Sequence, residues 1–229
     1  MTGLPWLNHS LWFPPPNDAL EDPNGLLCAG GDLKAERLIQ AYKQGIFPWY
    51  CADQPILWWS PDPRCILRFN DLHIAKSMRR TLNDNRLSYT FDQYFQAVVK
   101  GCAQPRPYSE GTWITNEMID AYCNLHQQGV AHSIEVWYEG ELAGGLYGVS
   151  IGPCFFGESM FGRKPNVSKY AFIRLAQSLE AWGYRLFDCQ VPNDHLLSLG
   201  ATLIPRSDFL DLLKDHLDNY GSQLFWNKN

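Results

Sequence analysis

The chain has 229 residues, of which 45% are hydrophobic, 19% are charged and 14% are aromatic. This composition excludes intrinsic disorder, coiled coils and low-complexity arrays, because such chains are poor in large apolar and aromatic residues. The formal net charge of -5 excludes a uniformly basic nucleic-acid-binding surface, although it is compatible with a local basic patch.

The N-terminal quarter of the chain is rich in proline, glycine and tryptophan and contains one clear helical pattern. Apolar residues recur at helical spacing from Ala35 to Tyr42, Asp32 is placed to cap this helix, and Gly45 is placed to end it. Prolines then forbid helix in the following segment. We therefore predict a small N-terminal domain, residues 1–63, and a larger domain, residues 64–229.

Helical and strand patterns alternate regularly in the larger domain. Helices are predicted at residues 71–82, 92–101, 116–128 (capped by Thr115), 167–182 and 193–199, and in a last segment capped by Ser207. Strands are predicted at residues 132–138, 142–151, 154–161, 184–189 and 201–204, and short turns make the first three an antiparallel meander. This is an α+β pattern with a mixed, mostly antiparallel sheet, and its element order is that of acetyltransferase-like (GNAT-type) domains.

Several classes of site are not indicated. The seven cysteines include no C-x-x-C pair, and no histidine pair has a metal-binding spacing, so we expect reduced thiols and no metal. Phosphate-binding loops, dinucleotide fingerprints and nucleophile elbows are also missing from the sequence. The longest uncharged run, residues 142–157, is too short and too rich in glycine for a membrane helix, and the first residues do not resemble a secretory signal. We expect a cytoplasmic protein.

Glu158 interrupts an otherwise uncharged, strand-forming run. A buried carboxylate is costly unless it is paired or used, and strand parity places Glu158 on one face with Phe156 and Met160. Alternatively, Glu158 faces solvent on a half-exposed strand. Periodicity alone leaves both interpretations open.

A second polar group follows a buried-looking strand. Asp188 and Gln190 are two residues apart, so strand parity directs them to the same face, at a strand end where α/β sheets place ligands. The alternative is that Asp188 anchors a loop. One of Asn193 and Asp194 is expected to cap the next helix.

A basic cluster precedes the meander. It comprises Arg64, Arg68, Lys76, Arg79, Arg80 and Arg86. Lys76, Arg79 and Arg80 share one face of the predicted helix. A solvated helix face is the usual explanation, but cations beside tryptophan-rich loops also suit single-stranded nucleic acid.

Taken together, these segments resemble the leucyl/phenylalanyl-tRNA-protein transferase family over about residues 13–210. The matching motifs are PNGLL at 23–27, GGDL at 30–33, GIFPW at 45–49, WWSPDPR at 58–64, GTWIT at 111–115, HSIEVW at 132–137, GESMF at 157–161 and DCQ at 188–190. Departures from the family pattern are mild: Leu146 stands where methionine is common, and Gly162 and Val167 where serine and alanine are common.

The resemblance implies an enzyme that needs no cofactor and transfers Leu or Phe from leucyl-tRNA or phenylalanyl-tRNA to proteins with N-terminal Arg or Lys, marking them for degradation. It also implies active-site positions for Trp49, Trp113, Tyr122, Glu158, Asp188 and Gln190. An apolar aminoacyl pocket is implied at Leu146, Phe155, Met160, Phe172, Leu175 and Phe187. We expect a monomer that binds tRNA phosphates through Lys76, Arg79 and Arg80 and makes no contact with a membrane.

For the chemistry, we expect Gln190, polarised by Asp188, to hold and help deprotonate the acceptor amine while Glu158 orients the substrate. Positioning supplies much of the rate, since an amide is a weak base. Two alternative functions are considered, and each would be recognised by a different observation. An acyl-CoA-dependent N-acetyltransferase would need a glycine-rich pyrophosphate cradle, which residues 161–166 do not provide. A non-catalytic adaptor would bind Arg-initiated peptides without increasing their mass.

Overall fold

The computed structural model describes residues 3–104, 114–219 and 226. The described residues form two β-sheets with α-helices packed around them. None of the described helices has the length and apolar character needed to cross a membrane.

A small four-stranded sheet is built from the N-terminal part of the chain. Its strands are β1 (Trp6–Leu7), β2 (Leu26–Gly30), β3 (Phe47–Pro48) and β4 (Leu57–Trp59), in the order β1-β2-β4-β3. The sequence did not predict these strands, because two to five residues are too few for a periodic pattern.

The predicted N-terminal helix is confirmed as α1 (Ala35–Lys43), which buries Leu38 and Tyr42. Asp32 does not cap it. The Asp32 carboxylate accepts a hydrogen bond at 3.0 Å from the backbone nitrogen of Lys34, the residue immediately before the helix.

The larger sheet has seven strands. They are β5 (Arg64–Leu67), β6 (Leu87–Phe91), β7 (Ala131–Tyr138), β8 (Glu141–Ile151), β9 (Cys154–Gly162), β10 (Leu186–Gln190) and β11 (Thr202–Ile204), in the order β11-β5-β10-β9-β8-β7-β6. Among the described strands of this larger sheet, β9 and β10 form the only parallel pair. The predicted meander of β7, β8 and β9 and the predicted α+β class with a mostly antiparallel mixed sheet are confirmed.

The remaining helices lie in the predicted segments. They are α2 (Lys76–Leu82), α3 (Phe95–Cys102), α4 (Asn116–Gln127), α5 (Val167–Ala181), α6 (Asp194–Leu197) and α7 (Arg206–Asp218). Helices α2 and α3 begin five and three residues later than predicted. Thr115 caps α4 and Asn193 caps α6 through their side-chain oxygens. Ser207 does not cap α7, because the helix already begins at Arg206 after Pro205.

Each face of the large sheet carries a hydrophobic cluster. One cluster holds most of the buried face of α5, whereas the other contains residues of α1, α3, α4 and α7. The second cluster also includes Leu27 and Trp58 of the small sheet, so the two sheets share a core. The change of sheet between Trp59 and Arg64 lies at the predicted boundary, but the division into domains 1–63 and 64–229 stays a prediction.

Candidate active site

The two parallel strands of the large sheet separate and leave a cavity. β9 and β10 pair from Cys154↔Leu186 to Phe156↔Asp188, and the cavity lies beyond that last pair. Its volume is about 250 Å³. Its walls are formed by Phe47, Pro48, Trp49, Leu146, Gly157, Glu158, Ser159, Met160, Phe172, Phe187, Cys189, Gln190, Val191, Pro192, Asn193 and Leu196.

A β-bulge sets the direction of Glu158. β8 and β9 pair at Tyr147↔Ser159 and then at Gly148↔Gly157, which leaves Glu158 without a partner in the ladder. A bulge bends its strand and redirects a side chain, and bulges are frequent beside active sites. The parity prediction that Phe156, Glu158 and Met160 share a face is therefore wrong: Phe156 packs against Tyr42, whereas Met160 lines the cavity.

Glu158 is buried and accepts three side-chain hydrogen bonds. The hydroxyl of Tyr42 donates to Oε1 at 2.7 Å, and the hydroxyl of Tyr122 donates to Oε2 at 2.8 Å. The side-chain amide of Gln190 also donates to Oε1 at 2.7 Å. The solvent-facing interpretation of Glu158 is therefore wrong, because the residue is only 9% exposed and both carboxylate oxygens accept hydrogen bonds within the protein.

Burial raises the pKa of Glu158 to about 7, although the three hydrogen bonds to the carboxylate oppose the shift. Burial and then the Glu158 charge hold the pKa of Tyr42 and Tyr122 well above the usual value, so both remain neutral hydroxyl donors. A carboxylate with a pKa near 7 is suited to accepting and returning a proton at neutral pH.

A second bulge positions Gln190. β10 pairs with β5 at Asp188↔Ile66 and then at Gln190↔Cys65, so Cys189 is an extra residue between the two pairs. Gln190 has a φ of 61°, in the left-handed region that side-chain-bearing residues rarely occupy. Strain of this kind persists only where surrounding contacts enforce it. Here the backbone nitrogen of Gln190 donates to Asp188 Oδ1 at 2.9 Å.

The Asp188 side chain does not face the cavity. Its carboxylate is fully buried and forms a bidentate ion pair with Arg64, at 2.9 Å to Nε and 2.6 Å to Nη2. The bulge at Cys189 breaks the parity that predicted a shared face for Asp188 and Gln190. The expected contact in which Asp188 polarises the Gln190 side-chain amide is also absent, because that amide donates to Glu158 instead.

Four of the six residues expected in the aminoacyl pocket line the cavity: Leu146, Met160, Phe172 and Phe187. Phe155 and Leu175 are buried in the hydrophobic core rather than on the cavity wall. Phe155 packs edge-on against Phe187 with ring centroids 5.3 Å apart, so it supports the wall from behind.

Of the two tryptophans expected at the site, the structure describes Trp49. Trp49 lines the cavity, is 40% exposed and packs against Trp59 with ring centroids 5.6 Å apart. The Trp59 indole nitrogen donates to the Trp49 carbonyl oxygen, which fixes this exposed segment. Trp113 lies outside the residues that the structure describes.

The basic residues divide into two groups. Lys76, Arg79 and Arg80 are exposed on α2, which is anchored by the buried Met78. Arg64 is fully buried and therefore cannot belong to an exposed basic face. Its guanidinium also donates to the carbonyl oxygen of Gly45 and lies 4.4 Å from the ring centre of Phe209.

The structure brings His126 and His132 close together, although their spacing in the sequence did not predict a shared site. Potential ligand atoms of Asp92, His126 and His132 lie within 4.8 Å of one another. His132 Nδ1 is 2.8 Å from the Asp92 carboxylate, and His126 Nδ1 is 2.8 Å from the carbonyl oxygen of Ala131. The hydrogen bond of His126 joins the end of α4 to β7, and that of His132 joins β7 to Asp92, the residue after β6.

Two residues of the site escaped the sequence analysis. Tyr42 looked like an apolar position of the α1 stripe, and its hydroxyl contact with Glu158 spans 116 positions of sequence. Arg64 looked like a member of the basic cluster. The available signal was the hydrophobic run that follows Arg64, since a charge at the start of a buried strand needs a partner.

Two family models match the chain. The model described as "Leucyl/phenylalanyl-tRNA protein transferase" matches residues 66–214, and the model of the N-terminal domain of the same family matches residues 31–62.

Curated proteins with high similarity carry the corresponding name, leucyl/phenylalanyl-tRNA--protein transferase. The protein from Hahella chejuensis is 65% identical over 93% of this chain and 92% of its own length. Those from Pseudomonas fluorescens (strain SBW25) and Azotobacter vinelandii are each 58% identical, over 94% and 91% of this chain and 96% and 92% of their own lengths.

Solved structures show weaker similarity. A GCN5-related N-acetyltransferase from Kribbella flavida matches 73% of this chain and 59% of its own, with 10% identity and a TM-score of 0.37. The L-PGS structure from Bacillus licheniformis matches 69% of this chain and 52% of its own, with 14% identity and a TM-score of 0.40.

Proposed function

The chain belongs to the leucyl/phenylalanyl-tRNA protein transferase family, and from this premise we propose how its cavity carries out the reaction. It is an aminoacyltransferase whose substrates are an aminoacyl-tRNA and a protein. The proposal rests on one observation: Glu158 and Gln190, joined by a 2.7 Å hydrogen bond, lie in the wall of a largely apolar cavity.

The apolar side of the cavity receives the aminoacyl side chain. Leu146, Met160, Phe172 and Phe187 supply this wall. Full burial of a Leu or Phe side chain contributes roughly 1.5 to 3 kcal/mol, which favours large apolar donors over small ones. We assign leucyl-tRNA and phenylalanyl-tRNA as donors on this ground and on the family.

Gln190 binds the acceptor amine and Glu158 accepts a proton from it. Because Nε2 of Gln190 donates to Glu158, the amide oxygen of Gln190 is left to accept a hydrogen bond from the α-amine of the acceptor. The acceptor ammonium first loses one proton to solvent, and the neutral amine attacks the ester carbonyl carbon while Glu158 takes a second proton from the nitrogen. When the tetrahedral intermediate collapses, the bond from the carbonyl carbon to the ribose oxygen breaks, and Glu158 passes that second proton to the departing oxygen. No covalent enzyme intermediate forms.

Asp188 acts through the backbone. Its carboxylate, held by Arg64, fixes the backbone nitrogen of Gln190 and thereby the direction of the amide. Asp188 is therefore a positioning residue, whereas Gln190 and Glu158 contact the reacting groups. Tyr122 acts together with Tyr42 by holding the Glu158 carboxylate.

The acceptor is a protein with N-terminal Arg or Lys, and the product carries an added apolar residue that marks it for degradation. With a pKa of about 7, Glu158 is partly ionised and attracts the cationic N-terminal residue of the acceptor protein. Hydrogen bonds to charged groups contribute on the order of 1.5 to 3 kcal/mol. On the donor side, Trp49 offers an exposed ring for base stacking beside the cavity, and Lys76, Arg79 and Arg80 contact tRNA phosphates. We assign a cytoplasmic location, where charged tRNA is found, and a monomeric state.

The decisive experiment measures the intact mass of an Arg-initiated peptide after incubation with leucyl-tRNA and the protein. A gain of one leucine at the amino terminus supports the proposal. The controls are the same peptide beginning with Met, the same peptide with an acetylated N-terminus, and acetyl-CoA as the donor. If only acetyl-CoA labels the peptide, or if the peptide binds without any mass gain, the proposal fails.

A further inference from the structure

Two cysteines face each other across the strands that carry the site. At the bulge of β10, Cys189 and Gln190 together lie opposite Cys65 of β5. Both side chains belong to the same buried cluster, and the Cys189 thiol donates to the carbonyl oxygen of Phe187 at 3.9 Å. Both are buried, and neither is in a disulfide.

This placement is compatible with a disulfide. Residues directly opposite in an antiparallel pair have Cα atoms roughly 4.5 to 5.5 Å apart. Disulfides span Cα separations of about 4.4 to 6.8 Å. Cys189 is adjacent to Gln190, the Cα partner of Cys65, and the bulge places it outside the regular ladder and in the same buried cluster as Cys65.

A small oxidant can reach this pair through the cavity. Cys189 is 8% exposed and forms part of the cavity wall, whereas Cys65 lies behind it with no exposed surface. The neighbouring Cys189 thiol lowers the pKa of Cys65, whereas the Cys65 thiol and then burial raise the pKa of Cys189. The sulfur of Cys65 is thus the more nucleophilic of the two, since the thiolate is the reactive form.

We propose that Cys65 and Cys189 form an oxidation site, in which hydrogen peroxide converts the two thiols into a disulfide and thereby stops aminoacyl transfer. The inference rests on the proposed function only for its effect on activity. In the first step the Cys65 sulfur displaces water from peroxide and becomes a sulfenic acid. In the second step the Cys189 sulfur attacks it, and the disulfide forms with release of a second water. Both sulfurs are oxidised and both peroxide oxygens are reduced.

The disulfide reaches the reaction through neighbouring residues. Cys189 lies between Asp188 and Gln190, and Cys65 follows Arg64, so the new bond joins the two strands that bear the buried ion pair and the catalytic amide. Drawing the sulfurs together shifts the bulge and turns Gln190 away from Glu158. A misplacement of about 1 Å can cost roughly 100-fold in rate, so we expect a loss of this order.

The test follows cross-linking and activity in the same samples of the full chain. The protein carries Cys51→Ser, which removes an exposed thiol, and it is treated with increasing hydrogen peroxide and then alkylated. Non-reducing digestion and mass spectrometry identify the Cys65–Cys189 peptide, and leucyl transfer to an Arg-initiated peptide gives the activity. We expect the cross-linked fraction and the lost activity to rise together and both to reverse with dithiothreitol.

Matched variants separate this pair from other buried thiols. Cys65→Ala removes the partner of Cys189, and Cys154→Ala removes a buried thiol from the neighbouring strand β9. We expect Cys65→Ala to keep its activity under peroxide and Cys154→Ala to lose activity as the parent does. If Cys65→Ala does not fold, the Cys51→Ser protein decides the question. The readouts are then the mapped cross-link and the recovery of activity with dithiothreitol.

Three results would overturn the inference: a loss of activity without the Cys65–Cys189 cross-link, the cross-link without loss of activity, or equal sensitivity of Cys65→Ala. If the untreated parent transfers no leucine, the proposed function fails instead. The cross-link then still reports whether the oxidation site exists.

Discussion

The side-chain amide of Gln190 donates a hydrogen bond to Glu158 Oε1 at 2.7 Å, across the gap between two strands that no longer pair. Each partner is delivered by a β-bulge in its own strand. Because the Gln190 backbone is also held by Asp188, the pair has a fixed geometry before substrate enters. The reaction then depends on the protonation state of one carboxyl group.

The rate of transfer is expected to depend on the ionisation of Glu158. Burial raises its pKa to about 7, so kcat/KM should rise as the pH passes through 7 and then level off. Glu158→Gln should remove this rise and lower kcat by roughly 10²- to 10⁴-fold, the usual contribution of a general base. Rates are measured with saturating leucyl-tRNA between pH 5.5 and 8.5, in steps of about half a unit. If kcat/KM of Glu158→Gln rose with pH as it does in the wild-type protein, the rise would be due to a group other than Glu158.

The same pKa shift predicts a dependence of stability on pH. A carboxyl group whose pKa is raised by folding contributes stability below its unfolded pKa, and that contribution is lost as the pH rises through the folded pKa. For Glu158 the window runs from about 4.5 to about 7. Relative to the wild-type protein, Glu158→Gln should gain stability between pH 5 and pH 8, by on the order of 3 kcal/mol. Urea denaturation at both pH values measures this, and Glu141→Gln, at an exposed position, should show no such gain.

The buried ion pair should control stability more than the exposed one. Arg64 and Asp188 have no exposed side-chain surface, whereas the Arg86 side chain in the pair with Asp84 is 57% exposed. Removing one partner of a buried pair typically costs about 3 to 5 kcal/mol, because it leaves an uncompensated charge. Arg64→Ala should therefore lower the urea midpoint strongly, and Arg86→Ala should leave it almost unchanged. Similar midpoints for the two variants would contradict this assignment.

The elements of the fold could be predicted from sequence wherever a periodic pattern was long enough. The meander and α5 are examples, because eight or more residues alternate or repeat along each element. Strands β1 and β3, with two residues each, carry no such signal. They exist because neighbouring strands offer hydrogen-bond partners.

The site shows a different limit. Sequence identified Glu158, Asp188 and Gln190 as unusual, but strand parity assigned two of them wrong neighbours. One extra residue in a strand reverses the face to which every later side chain points. Neither Glu158 nor Cys189 is a residue type whose local conformational preference predicts a bulge. The partners of Asp188 and Glu158 were equally out of reach, since Arg64 and Tyr42 are separated from them by 124 and 116 positions.

Binding of tRNA is expected to depend on the exposed cations of α2. Replacing Lys76, Arg79 and Arg80 together with alanine should raise the KM for leucyl-tRNA and leave kcat unchanged, because these residues lie on α2, whereas the cavity is lined by other segments of the chain. Each lost phosphate contact should reduce the slope of log KM against log salt by about 0.7 to 0.9. A matched control replaces Lys43, Lys100 and Lys214, three exposed lysines on other helices. Equal slopes for the two triple variants would remove α2 from the tRNA site.

Donor preference is expected to follow the size of the cavity. Leu146 lines the cavity and is almost fully buried, so Leu146→Ala enlarges the space beside the aminoacyl side chain. Transfer of leucine should fall by roughly 10- to 100-fold, since a missing apolar contact costs about 1 to 3 kcal/mol. Transfer of phenylalanine should fall less, because its ring fills part of the added space. The measurement is kcat/KM for both donors with one Arg-initiated peptide.

Leu175→Ala is the matched control for this change. Leu175 is equally buried, but it lies in the core behind the cavity rather than on its wall. Its removal should lower the stability of the protein, by about 2 to 5 kcal/mol, and leave the ratio of the two donors unchanged. If Leu175→Ala shifted the donor ratio as much as Leu146→Ala, the selective pocket would have to extend beyond the cavity wall to Leu175. If neither shifted it, the apolar wall would not select the donor.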